Sequence, residues 1–72
     1  MIPELDRKKW QALLTEQTTP TLHSLSLKLK LASLKAQMKI EHITLNEAVE
    51  TLHHYCMNNK KMYTKDLENI LG

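Results

Sequence analysis

The sequence predicts an all-α fold, a small bundle of three helices plus a short fourth at the C-terminus. Three observations carry that expectation. Chain breakers are scarce, with one Gly at the last position and two Pro, each near the start of a proposed helix. The central stretch, Thr21 to Ile43, is built from Leu, Lys, Ala, Gln and Met, all strong helix formers. No Val, Ile or Thr lies between Thr21 and Ile40, although strands favour those residues. The competing signal is local. From Ser24 to Leu31 leucine alternates strictly with Ser and Lys, which is the strand template.

The first helix is expected over residues 3–16. Pro3 suits the first helical position, where its missing N–H costs nothing. Glu4 and Asp6 fall in the first turn, where the helix dipole favours acids. Leu5, Trp10, Leu13 and Leu14 supply the apolar contacts, in an untidy stripe that suits a lid on the bundle. Thr19 as a cap and Pro20 as the next first position then open the second helix, over residues 20–41.

This second helix is read as the central one, and it is apolar on two faces. At about 100° per residue, Leu22, Leu25, Leu29, Ala36, Ile40 and Ile43 share one stripe. Leu27, Leu31, Leu34 and Met38 share a second, nearly opposite one. A helix apolar on two sides must be covered on two sides. The third helix, from Leu45 to about Met57, starts at the clearest local signal in the chain, the capping box Thr44-Leu45-Asn46-Glu47. Its stripe of Leu45, Ala48, Val49, Leu52, Tyr55 and Cys56 is clean, and Asn46, Glu47, Glu50, Thr51 and His54 should face water. A polar break at residues 58–61 leads to a last helix, Lys65 to Leu71, with Thr64 as its cap and Gly72 as its stop.

Seventy-two residues make a single domain, residues 1–72. A chain of this size buries only about 60% of its unfolded surface, so oligomerisation is expected to complete the bundle. The net charge of +2 does not by itself imply nucleic acid. One cysteine excludes an intrachain disulfide and fits a reducing compartment. The charged N-terminus does not resemble a secretory leader, and no run reaches the ~18 apolar residues of a membrane span. The expectation is a cytoplasmic protein without membrane attachment.

The candidate sites are few. Glu50 and His53 match Glu-x-x-His, a di-metal ligand spacing in four-helix bundles, but further acidic ligands are missing and both are read as solvated. Cys56 sits on the apolar stripe, which suits a buried structural thiol. The acids at helix starts are explained by dipole effects, and no phosphate loop or nucleophile motif is present. The expectation is therefore no enzyme, no cofactor and no metal. Lys28, Lys35 and Lys39 form a basic ridge, and Lys60 and Lys61 a second cluster, as candidate contacts for a nucleic acid or an acidic partner. Leu27, Leu31, Leu34 and Met38 are the candidate partner interface, because the first helix should not cover them fully. The function expected is a protein-protein interaction module, a homodimer or a regulatory subunit docking through an apolar helix face. The alternative is a nucleic-acid-binding regulator using the lysine ridge or a helix-turn-helix-like C-terminal part.

Overall fold

The computed structural model describes residues 2–15 and 21–72, and these form four helices and no strand. They are α1 (Glu4–Thr15), α2 (Leu25–Lys39), α3 (Leu45–Asn58) and α4 (Thr64–Leu71). The alternating leucines from Leu25 onward are helical, so propensity prevails over the local period-2 pattern. The expected cap Thr19, the expected first helical position Pro20, and Glu16 at the end of the first helix lie outside the described residues.

α3, not α2, is the hub of the bundle. It packs most extensively against both α1 and α2, and α1 reaches α2 and α4 as well. The reason is its stripe. Ala48, Val49, Leu52 and Cys56 are all fully buried, and the two small side chains let neighbouring helices approach closely. Trp10, Leu13 and Leu14 of α1 pack from one side and Leu27, Leu31 and Leu34 of α2 from the other. α1 is therefore integral to the core and no mere lid. Leu5, expected among its contacts, is 73% exposed.

The helix ends show how the chain is held. The Thr44 capping box forms as expected: the Glu47 N–H donates to the Thr44 hydroxyl, and the Thr44 N–H donates to the Glu47 carboxylate. α2 ends two residues before the expected Glu41. Its last turn closes with the His42 N–H on the Gln37 carbonyl and the Glu41 N–H on the Met38 carbonyl. That pattern is a Schellman cap, and it puts Glu41 in the left-handed region at φ 60°. Glycine is the usual occupant, and its absence hid the helix end in the sequence.

The start of α2 is capped from outside. Ser24 occupies the N-cap position, yet its side chain makes no capping bond. Asp66, from α4, does the work instead. Its carboxylate accepts the backbone N–H of His23 at 2.6 Å and of Ser24 at 3.0 Å. Burial alone would push this carboxyl up; the N–H donors and the Ser24 hydroxyl outweigh it and hold it below the ordinary carboxylate range. Asp66 is thus a buried tertiary cap. Leu22, outside the helix, turns into the core beside it.

α4 is fastened at two more points. Tyr63 is buried, stacks on Tyr55 of α3, and donates its hydroxyl to the Tyr55 oxygen at 3.0 Å. Ser26 of α2 bonds the same Tyr63 hydroxyl at 2.8 Å. At the far end Lys9 of α1 donates to the Leu71 carbonyl, a cation at a helix C-terminus. Thr64 lies inside the helix and is not its cap; its hydroxyl donates back to the Lys60 and Lys61 carbonyls. Gly72 closes the helix as expected, through its N–H on the Glu68 carbonyl.

Candidate interaction surface

The two stripes of α2 exist, but the fold uses the one expected to stay open. Leu27, Leu31 and Leu34 are at most 2% exposed, and Met38 is half-buried against the same core. As interface candidates they are corrected: the chain's own α1 and α3 cover them. The uncovered stripe is the other. Leu25 is 68% exposed, Leu29 62% and Ile40 68%, with Ala32 and Ala36 exposed between them. Leu22 and Ile43, expected on this stripe, lie beyond the helix ends; one is in the core and the other packs against it.

Once the ends of α2 are fixed at Leu25 and Lys39, the two faces differ in side-chain size. The buried stripe offers four large side chains over one helix, whereas the other offers two leucines, two alanines and a terminal isoleucine. Burial of apolar area is worth about 25 cal/mol per Å², so the stripe with the larger side chains goes inside. Ala32 lies on the outer face as well, exposed beside Leu29 and Ala36.

The lysines take separate places. Lys28 and Lys39 are exposed along one edge of the outer face, and Lys35 on the same edge is half-buried. Lys30 on the opposite edge lies over the Tyr55 ring, its ammonium 5.3 Å from the centroid, and is engaged within the fold. Lys60 and Lys61 are exposed in the connection between α3 and α4. Lys61 lines a surface depression with His23, Ser24 and Lys65, beside the start of α2.

The Glu-x-x-His pair separates in the structure. Glu50 is exposed, while His53 is half-buried and accepts the indole N–H of Trp10 on its Nδ1 at 3.2 Å. His53 is therefore not the solvated residue that was expected. Among the described residues no group of three His, Cys, Asp or Glu side chains is placed to hold a metal ion. Cys56 is buried, and its thiol is pushed up to about 12, first by burial and then by the nearby Asp66 charge. It is a core side chain, as its stripe position suggested. Among the described residues no helix is long and apolar enough to cross a membrane.

The His53 bond makes one pH dependence. An imidazole accepting on Nδ1 must be unprotonated there. Burial lowers the His53 pKa below 6.5, His54 lowers it further, and Asp6 opposes both. A base whose pKa is lower in the folded state contributes stability that is complete above the unfolded value. That stability is lost as pH falls through the folded value. Urea midpoints should therefore drop as pH is lowered below about 6.5. His53→Gln, which keeps an acceptor that does not titrate, should flatten that drop. Equal drops in both proteins would remove His53 as its source.

Compared with protein families, curated proteins and solved structures, the chain matches none.

Proposed function

We propose that this chain is a small, non-enzymatic helical interaction module that docks on another protein through the outer face of α2. One observation supports the reading: the apolar side chains of α2 that the fold leaves unused lie together in a single strip along the helix. Scattered exposed leucines are ordinary on protein surfaces, whereas a continuous strip is a feature of interaction sites.

Site-directed photo-crosslinking tests the reading in the native host cell. A photoreactive residue at position 29 should give one discrete protein adduct that disappears when Leu25→Gln is added. The same probe at the exposed Lys8 of α1 should give none. The same products at both positions, or none at position 29, would refute the proposal.

The alternative is a nucleic-acid-binding regulator. It predicts duplex DNA binding at low salt, with a salt slope that falls when Lys28, Lys35 and Lys39 become Gln. α4 is a poor recognition helix. It is one of the short elements of the chain, and Asp66 within it is committed to the start of α2. Absence of DNA binding at low salt would eliminate this alternative.

A further inference from the structure

We infer that the outer face of α2 receives an acidic amphipathic helix from a different protein, an inference that rests on the docking reading above. The spacing comes first. Leu25, Leu29, Ala32 and Ala36 follow one another at intervals of four, three and four residues. That is the spacing of a coiled-coil seam, on the side of α2 away from the core. At 100° per residue the strip from Ala32 to Ile40 spans about 80°, narrower than the face of a helix that buries itself broadly. The two alanines leave a saddle between Leu25 and Leu29 at one end and Ile40 at the other. A leucine from an incoming helix fills such a saddle as a knob fills a hole.

Charge then selects the occupant. α2 carries four lysines and no acid. Lys28 and Lys39 are exposed beside the strip, and neither has a carboxylate partner among the described residues. A second copy of this chain is a poor fit in either direction. It would bring the same basic edge, with Lys28 and Lys39 exposed and no acid in α2, against itself. Glutamates flanking the seam of a foreign helix would meet the same lysines with opposite charge. An anionic membrane also attracts lysines. Interfacial helices, however, present broad apolar faces rich in bulky side chains, and two alanines would gain little there.

The test uses the whole chain and two labelled peptides, each a repeat of heptads with Leu at the seam positions. One has Glu at both flanking positions and the other Lys. Each repels itself and so stays single. The acidic peptide should bind by fluorescence anisotropy, and the basic one at least about tenfold more weakly. Leu29→Gln should abolish binding of the acidic peptide. Lys28→Gln with Lys39→Gln should weaken it about fivefold, without moving the thermal midpoint of the protein. Equal, Leu29-dependent binding of both peptides would overturn the acidic partner and leave the docking face standing. So would a Leu29-dependent dimer of the chain alone by light scattering, with neither peptide bound. Binding that ignores Leu29, or no binding of any kind, would overturn both. Leu29-dependent attachment to phosphatidylserine vesicles without peptide binding would also overturn both, since the face would then serve a membrane.

Discussion

Leu31→Ala should lower the unfolding free energy by about 2–5 kcal/mol, whereas Leu29→Ala, two positions away, should change it by no more than about 0.5 kcal/mol. The two leucines differ only in the side of α2 they occupy. Leu31 is 2% exposed and belongs to the core formed with α1 and α3, so truncation removes its buried methyl groups and leaves a cavity that a close-packed interior refills only in part. Leu29 is 62% exposed, and alanine there gains helix propensity while losing little burial. A domain of this length has about 4–11 kcal/mol in total, so Leu31→Ala should displace the urea midpoint severely and Leu31→Lys should unfold the chain outright. Urea titrations followed by circular dichroism decide the matter. A lower midpoint for Leu29→Ala than for Leu31→Ala would mean that α2 presents the opposite face to the core, and similar midpoints would mean that the two leucines are equally buried.

Asp66→Ala should be nearly as damaging, at about 2–4 kcal/mol. The side chain is 1% exposed, and its carboxylate is turned to the start of α2. Its loss strips the acceptor from two backbone N–H groups at the start of α2 and removes a negative charge from the positive end of that helix. Asp66→Asn keeps one carbonyl oxygen for these donors and should cost less. The wild-type protein should also show the acid side of this interaction. The carboxyl is held below its ordinary value, so its contribution is complete above the unfolded pKa near 3.9 and disappears as pH falls through the lower folded value. Stability of Asp66→Ala should therefore be flatter than that of wild type between about pH 5 and pH 2. Amide exchange at His23 and Ser24 gives an independent reading: both should exchange faster in the variant, with α3 little affected. Unchanged exchange at those two amides would show that the cap is not what orders this segment.

These two sites mark where the sequence could and could not be read. The helices were legible because their causes are local. The Thr44 box, the clean stripe from Ala48 to Cys56 and the scarcity of breakers act within a few residues of the chain. The end of α2 was misplaced because Glu41 takes a backbone conformation that normally announces itself as glycine. The start of α2 was misplaced because its cap comes from a residue some forty positions later. His53 looked solvated for a similar reason, since the Trp10 indole that it accepts from belongs to another helix.

The candidate surface shows the same division in sharper form. Periodicity alone established that α2 has two apolar faces and that the chain has more greasy surface on this helix than one neighbour requires. Which face turns inward depends on the side chains that α1 and α3 bring to meet it, and on how much apolar area each choice removes from water. Such a comparison is made between surfaces distant in the chain. The sequence by itself determined the helices and the doubly apolar character of α2; only tertiary packing decided that Leu27, Leu31 and Leu34 fill the core while Leu25, Leu29 and Ile40 stay outside, because hydrophobic burial is a sum over partners and no stretch of chain contains its own.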